Sequence, residues 1–139
     1  MYRKILLANN GTLDASGAFE PSLVLASRFN AELHMLLVEE LPRYPATISE
    51  VVGEKRAADR RFAYIVAVAQ RRAKEARIKF RSHVVVGSMI DRVIAFVDEN
   101  QVDLLVVGLA GYSRFSQFFF GNMAEQLVRL APCAVHVVK

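Results

Sequence analysis

Short all-apolar runs alternate along the chain with longer stretches whose apolar residues return every three or four positions, a rhythm of buried strands joined by helices. Ile5-Leu6-Leu7-Ala8 is the first run and stops at the turn-forming Asn9-Asn10-Gly11-Thr12. A helix is expected from Ser16 or Pro21 to Phe29, broken at Asn30, with a second strand from Leu33 to Val38. Glu39 to Gly53 contains Pro42 and Pro45, shows no period, and reads as a loop whose order depends on a ligand or partner. Ala58, Phe62, Ile65, Val66, Ala69, Ala73 and Ala76 then mark the apolar stripe of the longest helix.

Ile78, Phe80, Ser82 and Val84 alternate with Lys79, Arg81 and His83 before Val84-Val85-Val86, the pattern of a half-exposed edge strand. Gly87-Ser88 ends it, with Ser88 as the expected N-cap of a helix from Met89 to about Glu99. Leu104-Leu105-Val106-Val107 is a fourth strand, residues 123–130 a fourth helix, and Ala134 to Val138 a fifth strand. Five strands joined by four helical crossovers predict an α/β fold: one open, doubly wound parallel sheet with helices on both faces. Ligands of such sheets bind beyond the C-terminal strand ends, where the strand order reverses. Here the ends of strands one and four carry the glycine-bearing loops.

Composition narrows the class without changing this picture. The 139 residues, 53% of them hydrophobic, suit one domain spanning 1–139 and exclude a disordered chain. No apolar run is long enough to cross a bilayer, and the N-terminal run is too short for a signal peptide, so a soluble cytoplasmic protein without membrane partners is expected. The single Cys133 excludes an internal disulfide and reads as a small buried residue rather than a nucleophile. Residues 54–81 hold ten bases against three acids, a net +7, which leaves −3 for the rest of a chain whose total is +4. Such a run is ordinarily a solvated helix face, and a nucleic-acid partner is not expected from it.

From Gly108 the sequence runs Gly-Leu-Ala-Gly-Tyr-Ser-Arg-Phe-Ser-Gln-Phe-Phe-Phe-Gly-Asn, with glycines at 108, 111 and 121 and Asn122 before the last helix. Glycine lets backbone approach a ligand closely, and free N–H groups at a helix start favour an anion. Gly108 ending a strand, Gly111 turning a loop and Asn122 capping a helix explain the spacing equally well. The Phe115, Phe118, Phe119 and Phe120 cluster between the glycines reads as a short helix with one face in the core, or as a patch that meets a partner or covers a ligand. Asp14 reads as a turn or helix-start residue.

The spacing Gly-x2-Gly-x9-Gly followed by a small polar residue resembles the universal stress protein family, in its ATP-binding branch. The resemblance runs through Lys4-Ile5-Leu6-Leu7, Leu36-Leu37-Val38, Gly87, Val102-Asp103-Leu104-Leu105-Val106-Val107-Gly108 and the closing Ala131-Pro132-Cys133-Ala134-Val135-His136-Val137-Val138. It implies the strand order 3-2-1-4-5 and a cofactor site for ATP, with or without Mg. Adenine would lie near Asn10, Val38 and Val107, and Gly108, Gly111, Gly121, Asn122 and Met123 would line the ribose and phosphates. Two positions depart from the family pattern: Asn10 stands where Asp is usual, and Asn122 where Ser or Thr is usual. An amide at 10 accepts a hydrogen bond but carries no charge, and an amide at 122 caps a helix but is bulkier beside a phosphate.

The resemblance further implies a homodimer through strand 134–138 and a regulatory, non-enzymatic role in stress response. The alternative is a member without nucleotide that serves as a protein-interaction dimer. No Walker loop or Gly-x-Gly-x-x-Gly opening is present. His34, His83 and His136 fall on three strands with no carboxylate or thiol at ligand spacing, so they are read as sheet histidines rather than metal ligands.

Overall fold

The structure, a computed structural model, describes residues 1–9, 17–40, 47–109 and 123–139. In chain order the elements are β1 (Lys4–Asn9), α1 (Phe19–Phe29), β2 (Glu32–Glu39), α2 (Ile48–Glu75), β3 (Phe80–Val86), α3 (Met89–Glu99), β4 (Leu104–Gly108), α4 (residues 123–130) and β5 (Ala134–Val138). All neighbouring strands pair in parallel, in the order β3-β2-β1-β4-β5. The expected fold and strand order are both found.

Strand alternation sorts the core into two layers. Ile5, Leu7, Leu33, Met35, Leu37 and Val106 pack with Phe19 and Leu23 of α1 and Phe62 and Ile65 of α2. Leu6, Ala8, Leu36, Val38, Leu105 and Val107 pack with Met89, Val93 and Val97 of α3 and Ala124 and Leu127 of α4. β1, β2 and β4 are therefore apolar on both faces, which is why they read as unbroken runs. Each large side chain fully buried here contributes about 1.5–3 kcal/mol. β3 and β5, at the two edges, are only partly covered.

Three helices hand over to the next strand through one device. After α1, α2 and α3 the chain enters the left-handed region at Asn30, Arg77 and Gln101, and the next residue's N–H bonds back to the helix: Ala31 to Ala26, Ile78 to Ala73 and Val102 to Val97. These are Schellman closures built without glycine. They turn the chain sharply, so that each strand starts within a few residues of its helix.

The stretch Glu39 to Gly53 is not one loop: its two ends belong to regular elements, and residues 41–46 lie outside the described residues. Glu39 ends β2, and α2 begins at Ile48, held by a reciprocal capping box: the Thr47 hydroxyl accepts from the Glu50 N–H, and the Glu50 carboxylate accepts from the Thr47 N–H. Gly53 lies inside that helix. Ser88 occupies the N-cap position of α3 but makes no side-chain cap bond. The Glu40 carboxylate, at the end of β2, accepts from the Met89 N–H instead, at 3.2 Å. Ser16, Asp14 and the Phe115–Phe120 cluster lie outside the described residues.

Candidate functional site

The strand ends define a crevice at the switch point of the sheet. β1 stays paired with β2 as far as Asn9–Leu37, and β4 with β5 as far as Gly108–Val138. The pairing of β1 with β4 stops earlier, at Leu7–Val106. Ala8 and Asn9 thus part from Val107 and Gly108 at the place where chain direction across the sheet reverses, between β1 and β4. The outer side of the opening is held by β5, whose Val138 carbonyl accepts from the Leu109 N–H at 2.8 Å.

Of the expected site residues, Val38 and Val107 are the next-to-last residues of β2 and β4, with side chains buried in the layer of α3 and α4. Gly108 closes β4 and is buried. Met123 begins the described part of α4 and packs on the same layer as Val107. Asn10, Gly111, Gly121 and Asn122 lie outside the described residues.

Sequence reasoning overlooked Asn9. The sequence pattern places it in a turn, yet it is the last residue of β1 and is buried, with its Nδ2 group donating to Met35 Sδ at 3.9 Å. A polar residue ending the apolar run Ile5–Ala8 at a switch point is a signal that the sequence already carried.

A second constellation lies away from the crevice and corrects the reading of the histidines. His34 does have a carboxylate partner: its Nε2 lies 2.9 Å from Glu32 Oε1, two residues earlier on the same face of β2, and its Nδ1 lies 3.0 Å from His83 Nε2 on β3. The rings of His34 and His83 are nearly parallel, and Phe96 of α3 packs against both. Both contacts are hydrogen bonds when His83 Nε2 donates to His34 Nδ1 and His34 Nε2 donates to Glu32.

The His34 bond, opposed by burial and aided by Lys79, holds the Glu32 carboxyl below its ordinary value. Burial, then His34 and Arg81, hold the His83 imidazole below the histidine range. Among the described residues no group of three His, Cys, Asp or Glu is placed to hold a metal ion.

Cys133 is partly buried at the entry to β5, at the opposite end of the sheet from the crevice. Burial pushes its thiol above the usual range, so it is held protonated rather than activated. Among the described residues no helix is long and apolar enough to cross a membrane.

The universal stress protein family model matches residues 1–139. The chain is 24% identical to Universal stress protein MJ0531 of Methanocaldococcus jannaschii over 143 residues, covering 100% of this chain and 83% of that one. Universal stress protein UspA from Lactobacillus plantarum superposes with a TM-score of 0.80 at 21% identity, covering 99% of this chain and 98% of that one. A universal stress protein in complex with cAMP follows at 0.75 and 23% identity, covering 99% and 97%. Other similar structures hold AMP or dAMP.

Proposed function

Since the chain belongs to the universal stress protein family, we propose that it binds an adenine nucleotide, ATP with or without Mg, in the crevice between β1 and β4 and acts as a nucleotide-responsive regulatory module. The observation that carries this reading is the early end of the β1–β4 pairing beside a glycine. It leaves an opening at the strand ends, floored by apolar strands that suit a planar base, with backbone free of a side chain at Gly108. The cAMP, AMP and dAMP complexes of similar proteins support the choice of ligand. In this reading Asn10, Val38 and Val107 border the base, and Gly108, Gly111, Gly121, Asn122 and Met123 surround the ribose and phosphates. A bound nucleotide would supply a phosphate-dependent signal, and the chain's part is to hold it.

The module works as a homodimer through β5. That strand has one free edge, carries alternating Ala134, Val135, His136, Val137 and Val138 without a lysine or proline to discourage pairing, and follows a helix that exposes Val128 and Leu130. A two-fold contact closes such an edge after two chains.

Gly108→Val and Gly111→Val place a side chain where backbone must approach the phosphates. Each should abolish nucleotide binding in calorimetry, with unchanged circular dichroism. Retained affinity in a folded variant of both kinds removes the site assignment. Sedimentation as a monomer at micromolar concentration removes the dimer, and a dimer that binds no adenine nucleotide favours the interaction-only alternative.

A further inference from the structure

The ten cations between positions 54 and 81 are not one solvated shell. α2 divides them by what each one touches. Lys55 bonds Glu39 at 2.7 Å and Asp59 at 3.0 Å. Arg72 pairs with Glu20 and lies over the Phe19 ring, and Arg61 lies over Phe62. Arg56, Arg60, Arg71 and Lys74 are exposed, and among the described residues none of their side chains has an ion pair, hydrogen bond or ring contact.

At about 100° per residue, these four fall on the side of α2 opposite the buried stripe of Ala58, Phe62, Ile65, Ala69 and Ala73. Glu75 borders that sector at the C-terminal end of the helix, and Glu50, Glu54 and Asp59 lie farther round. Between the two basic pairs the sector holds Ala63, Ala67 and Tyr64, the last of which is 69% exposed. From Arg56 to Lys74 the array extends about 27 Å. Past the helix end, Arg77 and Lys79 join Arg3 around a cavity of about 500 Å³ in which Glu32 is the one lining carboxylate.

We propose that the outward face of α2 is a docking surface for single-stranded nucleic acid, with the Arg56–Arg60 and Arg71–Lys74 pairs on phosphates about 16 Å apart along the helix and Tyr64 stacked on a base between them. The make-up of the face selects this occupant. A helix that lies in a lipid surface buries large apolar side chains beside its basic ones, and a protein interface has aliphatic or aromatic anchors at its centre. This face offers alanines and one tyrosine. A polyanion is held through phosphate contacts and counterion release with little apolar contact, and an exposed aromatic ring accepts any base. The surface is separate from the nucleotide crevice, so neither reading depends on the other.

The test is fluorescence anisotropy of a labelled poly-dT oligonucleotide with the full chain, across a salt series. Four phosphate contacts predict a slope of log K against log salt near −2.8, or about fifty-fold weaker binding between 50 and 200 mM salt. Arg60→Gln with Arg71→Gln should shorten that slope by about 1.4, and Tyr64→Ala should cost about five-fold or more in affinity. All three positions are exposed, so circular dichroism should not change. The proposal is overturned if the oligonucleotide does not bind at 50 mM salt, or if the variants bind as the wild type does. It is equally overturned by tighter binding to duplex DNA of the same length, or by binding to phosphatidylserine vesicles without binding to the oligonucleotide.

Discussion

Replacing His83 by Gln removes a titrating ring from the Glu32–His34–His83 chain while leaving an amide that can still donate to His34 Nδ1. The sign of the effect follows from the neighbours. Burial, His34 and Arg81 hold the His83 imidazole below the ordinary range, and Lys4 and Lys79 lie within 3.7 Å and 3.4 Å of Glu32 at the other end of the chain. The unfolded chain therefore takes up a proton near pH 6.5 that the folded chain resists. Stability owed to the neutral ring is complete above that range and is lost as pH falls through it.

A one-proton difference changes stability by at most about 1.4 kcal/mol per pH unit. His83 is only partly buried on an edge strand, so solvent screening reduces this to a fraction of that ceiling. Glu32 acts in the same direction at lower pH: its carboxyl is held below 4.5, so its contribution persists down to that range and disappears beneath it. Urea unfolding at pH 7.5 and 5.5 separates the two, because the Glu32 carboxyl, held below 4.5, does not titrate in that window. The wild-type midpoint should fall on acidification at constant m-value, and His83→Gln should fall less. His34→Ala, which deletes both hydrogen bonds and the packing on Phe96, should cost about 2–4 kcal/mol at pH 7.5. An unchanged acid-induced loss in His83→Gln would refute the assignment of the titrating group.

Two further predictions concern local geometry. Gly87 sits at φ 144°, and a Cβ there would meet Arg92 Nε at 2.8 Å, the same nitrogen that donates to the Val86 carbonyl. Gly87→Ala should therefore destabilise by about 1–3 kcal/mol, and a thermal midpoint equal to the wild type would show that the turn tolerates a side chain. Thr47→Ala removes the hydroxyl half of the capping box and should cost about 1 kcal/mol, whereas Thr47→Ser should cost a few tenths. Equal losses in the two variants would mean that the cap bond is not what holds the start of α2.

What could be read from the sequence followed from how local its cause was. The central strands announced themselves because each is buried on both faces, and Asn30 was legible as a helix end because asparagine tolerates the left-handed region. Arg77 and Gln101 perform the same closure, but their side chains carry no hint of it. Thr47-x-x-Glu50 was a legible start signal for α2, obscured by Pro45 before it and Gly53 within it. Glu40 capping α3 and His34 meeting His83 each join residues 49 positions apart, which only the pairing of strands can bring together. At the crevice, the sequence pointed to the ends of β1 and β4. That Val38 and Val107 bury their side chains in the layer of α3 and α4 depends on strand parity, and Asn9 was hidden by its resemblance to a turn residue.

The central claim is adenine-nucleotide binding in the crevice between β1 and β4. Isothermal titration of the purified wild-type chain, stripped of small molecules and titrated with ATP in the presence and absence of Mg, tests it most directly. Saturable binding of one nucleotide per chain, competed by AMP or cAMP, is the predicted result. A folded chain that gives no heat with any of the three, and from which mass spectrometry recovers no adenine nucleotide before stripping, would contradict it.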